Sequence, residues 1–166
     1  MPRRSRRRYA RGRPLKTVKY SNETMNFGGQ KQYNTAENSP TLFAPIIAAV
    51  TTQGMRKCKN FTLHIETTSS VPIAFALIYL PQGQVPENQI LNFGLQDAPS
   101  SIYEPNQNVI LSGVVQANSP QLTFRTRLAR NLNSGDSIYI LYRQLLNVPA
   151  GGNYFIYCSL NYAITY

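Results

Sequence analysis

The chain has 166 residues, 42% of them hydrophobic, and a formal net charge of +10. That length fits one domain with its own core, and the longest apolar run, APIIAAV, is too short to cross a bilayer. Cys58 and Cys158 lie far apart without a CxxC spacing, which opposes a metal site and predicts two free thiols in a reducing compartment.

Positive charge is concentrated at the N-terminus. Residues 1–20 hold nine of the 17 cations and no acid, whereas the rest of the chain holds eight cations and all seven acids. Gly12 and Pro14 interrupt any helix there, and the few apolar residues cannot offset the entropy of ordering. We therefore predict a disordered arm over residues 1–16 and a folded domain over residues 17–166.

The arm has the chemistry of a nucleic-acid ligand, because an arginine fork donates two hydrogen bonds to one phosphate and a tyrosine can stack on a base. The candidate nucleic-acid-binding residues are Arg3, Arg4, Arg6, Arg7, Arg8, Tyr9, Arg11, Arg13, Lys16 and Lys19, joined by Arg125 and Arg127 if these face the same partner. Basic clusters are also recognised by import receptors, so Arg3 to Arg13 are predicted to act as a nuclear localisation signal. The alternative is a solvated basic tail without a dedicated partner.

After the arm, hydrophobic residues recur at every second position, which predicts strands. LTFRTRLA places Leu122, Phe124, Thr126 and Leu128 on one face, and the C-terminal segment alternates with Cys158 on its core face. IAFALIYL and SIYILYR are continuously apolar, as in strands that are buried on both faces. Eight strands are predicted, over residues 17–27, 42–52, 57–66, 73–80, 108–116, 121–128, 137–144 and 153–165.

Turn signals separate these strands. They lie at Gly28–Gly29, Gln53–Gly54, Ser69–Ser70, Asn118–Pro120 and Asn133–Asp136. Gly113, inside a predicted strand, indicates a bulge or a close backbone approach. The longest connection, from about Pro81 to Gln107, contains four prolines, and a loop of that length is usually a functional or assembly element.

Side chains suited to catalysis do not converge in this sequence. His64 lies on the polar face of its predicted strand, and we interpret it with Glu66 as a surface pair. The other acids are scattered, and Asp136 follows Gly135 in a predicted turn. We therefore predict no catalytic residue, no metal site, no cofactor and no enzymatic activity.

Eight strands without a helix predict an all-β sandwich or barrel, and eight is the strand number of the jelly roll. Periodicity alone leaves jelly-roll, immunoglobulin-like and lipocalin-like strand orders open, although the lack of tryptophan opposes an immunoglobulin domain.

Four segments between Met55 and Tyr142 carry a resemblance to a known family. ALIYLPQGQVP, SIYEPNQNVILSGVV and LARNLNSGDSIYIL, in this order, look like the capsid proteins of CRESS-DNA viruses, which are small viruses with circular single-stranded DNA. RKCKNFTLHI is similar to an early strand of the same proteins. Gln82 and Ala129 depart from the pattern, since many relatives have Glu and Ser there.

The resemblance implies a single eight-stranded jelly roll, icosahedral assembly and an arm that faces the packaged genome. It implies as partners further copies of the chain, the single-stranded DNA genome, a host nuclear import receptor and an unidentified host-cell receptor. A short jelly roll favours the smallest closed shell, T=1 with sixty subunits. The implied locations are the virion and the host nucleus.

Other classes stay open at this point. A satellite-type RNA virus capsid would share the arm and the fold. A non-viral basic nucleic-acid-binding β protein would need a basic patch on its domain. The candidates for such a patch are Arg56, Lys57, Lys59, Arg125, Arg127, Arg130 and Arg143. An extracellular jelly roll of cytokine or lectin type is opposed by the missing secretory signal and the unpaired-looking cysteines.

Overall fold

The computed structural model describes residues 19–33, 42–51, 54–85, 108–146, 148 and 151–165. The elements in these ranges are β1 (Ser21–Gln32), β2 (Leu42–Ile47), β3 (Arg56–Thr67), β4 (Ile73–Leu80), β5 (Val109–Val115), β6 (Leu122–Leu132), β7 (Ser137–Gln144) and β8 (Asn153–Ile164). All eight predicted strands are confirmed, with differences at their ends. The long connection after Pro81 is described only to residue 85, so its predicted role lies outside the described residues.

The strands form two antiparallel sheets of four, in the orders β1-β8-β3-β6 and β2-β7-β4-β5. β1 pairs with β8, β2 with β7, β3 with β6 and β4 with β5, so the chain folds as one long hairpin that wraps into two sheets. This is the strand order of a jelly roll. The predicted all-β jelly roll is confirmed, and the immunoglobulin-like and lipocalin-like orders are excluded.

The main core lies between the two sheets. Its largest fully buried side chains include Phe61, Leu63, Phe75, Leu77 and Leu160. A smaller buried cluster lies on the opposite face of the second sheet, formed by Ala76, Ile78, Leu80 and Leu141. Strands β4 and β7 therefore bury both faces, as their continuously apolar sequences predicted.

The predicted turn at Gly28–Gly29 is wrong, because both residues lie inside β1 with φ angles of 138° and 135°. A Cβ on Gly28 would stand 2.1 Å from the carbonyl oxygen of Ile156. β1 can approach β8 this closely only because residue 28 has no side chain. A glycine pair is a turn signal by composition, but extended backbone at positive φ requires glycine as well.

The predicted end of the sixth strand at Leu128 is also wrong. β6 continues to Leu132, and its register with β3 shifts at a bulge between Lys59 and Phe61. Leu128 falls at this bulge and is 48% exposed, whereas Leu122, Phe124 and Thr126, with which it was predicted to share a face, are partly buried. A bulge interrupts the alternation of side chains, and the alternation was the basis of that prediction.

Gly113 shows the close approach that its sequence position indicated, with aromatic rings as the neighbours. A Cβ there would lie 3.0 Å from the rings of both Phe75 and Phe124, which meet edge to face across the sandwich with centroids 4.7 Å apart. The small residue on β5 therefore makes room for an aromatic pair that joins the sheets.

Candidate nucleic-acid interface

The outer face of the first sheet is the side of β1-β8-β3-β6 that points away from the core, and it carries polar side chains from neighbouring strands. Along β3, Leu63 and Ile65 are buried, whereas Thr62, His64 and Glu66 point outward. The same alternation on β6 turns Arg125 outward beside Thr62, its partner in the register. Residues of β3 and β6 can therefore contact one ligand on this face.

Four cations lie at one end of the outer face, and we call Lys57, Lys59, Arg125 and Arg127 the basic patch. Lys57 and both arginines are exposed, and Lys59 is half-buried. Asn60, Thr62, Arg125 and Arg127 line a shallow depression within the patch. Glu66 is the one acid that the described part of β3 and β6 places on this face, and it lies toward the other end.

The β3 bulge sets the direction of these lysines. Cys58 and Phe61 are both fully buried although they are three residues apart, so one extra residue must lie between them. That residue is Asn60, with a φ of 58°. Asparagine tolerates this left-handed conformation better than most residues. The bulge lets Lys59 point outward while Phe61 stays in the core.

The chain enters the domain beside the basic patch. Tyr20 directly precedes β1, and the Lys59 ammonium lies 3.7 Å from the centre of its ring, a cation–π contact. Ser21 and Cys58 flank the same residue of β8, Ile164, so the start of β1 and the start of β3 meet at one end of the sheet. Exposed Lys19 extends the positive charge toward the N-terminal segment.

The predicted binding residues divide into two groups. Lys19, Arg125 and Arg127 lie at the same end of the sandwich. The others, Arg3, Arg4, Arg6, Arg7, Arg8, Tyr9, Arg11, Arg13 and Lys16, lie outside the described residues, as does the predicted arm over residues 1–16.

The wider patch that a non-viral binding protein would need forms only in part. Arg56 is 7% exposed and therefore buried. Arg130 is the register partner of buried Cys58, so it lies on the inward side of the first sheet. Arg143 belongs to β7 in the second sheet. Of the seven candidates, Lys57, Lys59, Arg125 and Arg127 share the outer face.

Two aromatic residues on the outer face were missed by the sequence analysis. Phe155 and Tyr157 on β8 are 39% and 54% exposed, and their rings are parallel, with centroids 6.0 Å apart. The signal was present in the sequence, because the alternation that places Tyr154, Ile156 and Cys158 in the core turns these two outward.

His64 Nδ1 lies 2.8 Å from Thr123 Oγ1 on the neighbouring strand. Within the described ranges, no group of three or more His, Cys, Asp or Glu residues could hold a metal ion. No helix in the same ranges is long and apolar enough to span a membrane.

The two cysteines are free, as predicted, and both are buried, although the sequence pattern placed only Cys158 on a core face. Burial raises the pKa of each thiol to about 12, and the nearby Arg56 guanidinium only partly opposes this at Cys58. Both thiols are therefore protonated at neutral pH, when they are poor nucleophiles and poor metal ligands.

No protein-family model matches the chain, and no curated protein matches it. Among solved structures, the chain is similar to the VP2 subviral particle of infectious bursal disease virus, with a TM-score of 0.41 and 12% sequence identity. The similarity covers 88% of this chain and 33% of that chain, so this chain spans about a third of the length of that protein.

Proposed function

We propose that the chain is the coat protein of a small icosahedral virus and that it packages circular single-stranded DNA. The observation that carries the proposal is the junction between the jelly roll and the arginine-rich segment. This segment enters β1 at the end of the sheet whose outer face holds the basic patch. A rigid sandwich suits the tiling of a shell, and a polycationic segment suits neutralisation of packaged phosphates.

Closed assembly also gives the sheet edges partners. β1 and β6 are edge strands of one sheet, and β2 and β5 are edge strands of the other. Edge strands left open invite uncontrolled pairing, and closed symmetry protects them. Pro45 already blunts β2, since proline cannot donate a ladder hydrogen bond. We propose sixty identical subunits, the smallest closed icosahedral shell.

Nucleic-acid binding in this proposal is electrostatic. The nine cations of residues 1–20 and the four of the basic patch contact phosphates and release condensed counterions, with little sequence preference. Arginine predominates among the cations of residues 1–20, which favours forked contacts with phosphate oxygens.

Electron microscopy of the purified full chain tests assembly. We expect closed shells of sixty subunits. A stable monomer, or a larger shell as the sole product, would contradict the proposal. A monomer that still binds nucleic acid would favour the non-viral binding protein instead.

Reassembly in an equal mixture of circular single-stranded DNA and single-stranded RNA of the same length tests the choice of nucleic acid. We expect the protected nucleic acid to be sensitive to DNase after extraction. Selective protection of RNA would favour the satellite-type capsid while leaving the shell proposal intact.

We further propose that the arm is a nuclear import signal and that the assembled shell binds a host-cell receptor. A fluorescent reporter fused to residues 1–20 should accumulate in the nucleus, because its arginine cluster binds an import receptor. A fusion with the seven arginines replaced by serine is the control. Equal distribution of the wild-type fusion between compartments would reject the import role.

A further inference from the structure

We propose that the outer face of the first sheet also contacts bases, with Phe155 and Tyr157 as a stacking platform for single-stranded nucleic acid. This inference rests on the proposed function. It adds contacts with bases to the phosphate contacts that we propose for the arm and the basic patch. Exposed aromatics beside a cationic surface are the usual elements of sequence-tolerant single-strand binding.

The aromatic pair has the geometry of a stacking platform. Phe155 and Tyr157 are neighbours on the same face of β8, and their ring planes differ by 1°. Both rings expose a large fraction of their surface, 39% and 54%. Parallel exposed rings offer flat apolar surface to successive bases, since every base has a π-face whatever its identity.

A glycine keeps one side of the Tyr157 ring open. Gly28 on β1 is the register partner of Tyr157, and a Cβ there would collide with the carbonyl oxygen of Ile156. The position beside Tyr157 therefore lacks a side chain, and the sheet has a groove there. Asn26, Gly28, His64, Glu66, Gln121 and Tyr157 are among the residues that line it. Its amide, hydroxyl and imidazole groups can donate and accept hydrogen bonds at base edges.

Charge on this face favours a polyanion over a second protein surface. The basic patch contributes four cations to the same face, whereas β3 and β6 contribute one acid, Glu66, which is the register partner of Tyr157 and lines the groove. The rows of Tyr157 and Arg125 are four residues and two strands apart, which corresponds to roughly 16 Å between their Cα atoms. A strand at about 3.4 Å per nucleotide would cover this distance with about five nucleotides. One short strand can therefore contact both the platform and the patch.

Two oligonucleotides of equal charge separate base contacts from phosphate contacts. The full chain is titrated at fixed salt with fluorescent dT12 and with an abasic twelve-mer of the same backbone. We expect the wild type to prefer dT12 by at least about 5- to 150-fold, the range that one stacked base supplies. Tyr157→Ala and Phe155→Ala should each reduce this preference severalfold and leave the affinity for the abasic strand within about twofold.

Matched variants separate stacking from general effects of substitution. Tyr157→Phe keeps the ring and should keep the preference. Phe43→Ala removes an aromatic ring of similar exposure, 40%, from β2 in the other sheet and should leave the preference unchanged. Both platform residues are exposed, so the alanine variants should fold, and circular dichroism checks this.

The outcomes distinguish this inference from the proposed function. If the wild type binds both oligonucleotides equally, or if both alanine variants keep the full preference, the platform is wrong and the phosphate-binding arm stands. If the alanine variants stop assembly but keep the preference, the face is a contact between copies and the platform is wrong. If the wild type binds neither oligonucleotide, the platform and the packaging function both fail.

Discussion

At the residue scale, Asp136 holds the turn between β6 and β7 in place. Its carboxylate accepts hydrogen bonds from the Tyr79 hydroxyl at 2.6 Å, the Asn133 amide at 2.8 Å and the Gln82 amide at 3.0 Å. Burial by itself would raise the pKa of Asp136, but these hydrogen bonds outweigh it and the pKa lies below its usual value. These three hydrogen bonds therefore give the Asp136 carboxylate a structural role.

We expect Asp136→Asn to lower the free energy of unfolding at pH 7 by about 1–3 kcal/mol, because a charged acceptor with three donors is lost. Because the pKa of this carboxyl is lower in the folded chain than in the unfolded chain, its ionised form stabilises the fold when the pH is above the unfolded pKa of about 4. This stabilisation is lost as the pH falls through the folded pKa. The difference between wild type and variant should therefore shrink below pH 4 in urea unfolding. Glu66→Gln, at an exposed acid, is the control. A difference that stays constant down to pH 2 would contradict this account.

The thiols allow a second prediction at this scale. Cys58 and Cys158 are buried and have pKa values raised to about 12, so neither should react with a thiol-specific reagent at pH 8 in the native protein. Both should react after denaturation. A reagent that releases a chromophore on reaction with a thiol allows the number of reacted cysteines to be measured by absorbance. Rapid labelling of one thiol in the native state would show that its strand opens locally.

At the scale of elements, β1 depends on two glycines for its place at the sheet edge. Gly28 and Gly29 have nearly the same positive φ, but only Gly28 is crowded, since a Cβ on Gly29 would meet no atom within 4 Å. Alanine substitutions at these two adjacent positions therefore distinguish the cost of backbone strain from the cost of a steric collision.

We expect Gly29→Ala to cost about 1–3 kcal/mol of unfolding free energy, the range for backbone strain at such angles. Gly28→Ala should cost more, because its Cβ also collides with the carbonyl oxygen of Ile156 and must push β1 away from β8. Denaturant unfolding and hydrogen exchange of β1 amides measure both effects. Equal losses in the two variants would show that the close approach of β1 and β8 is not needed for stability.

Alternation in the sequence was sufficient to predict the eight strands but not their pairing or their irregularities. Periodicity says which side chains share a face, and it carries no information on which strand lies beside which. The bulge at Asn60 decides that Lys59 points outward, and no local pattern indicates it. Likewise, Arg56 resembles its basic neighbours in sequence, and burial alone distinguishes it.

At the scale of the whole molecule, charge is divided between a nearly neutral domain and a basic N-terminal segment. The described strands begin at Ser21, after all nine cations of residues 1–20. Most of the cations to which we assign packaging therefore lie outside the strands that form the fold. A truncation can remove one property and keep the other.

Deletion of residues 2–14 removes seven arginines and leaves all eight strands, so we expect the shortened chain to fold and to form shells that contain little nucleic acid. If about six cations of the wild-type arm engage a single strand, its affinity should fall with salt at a log–log slope of roughly −4. The truncated chain should show a much shallower slope and weak binding at low salt. Replacement of the seven arginines by lysine is the matched control, because it keeps the charge and hence the slope. Unchanged affinity and slope in the truncated chain would mean that the basic patch and the platform on the first sheet, and not the arm, hold the genome.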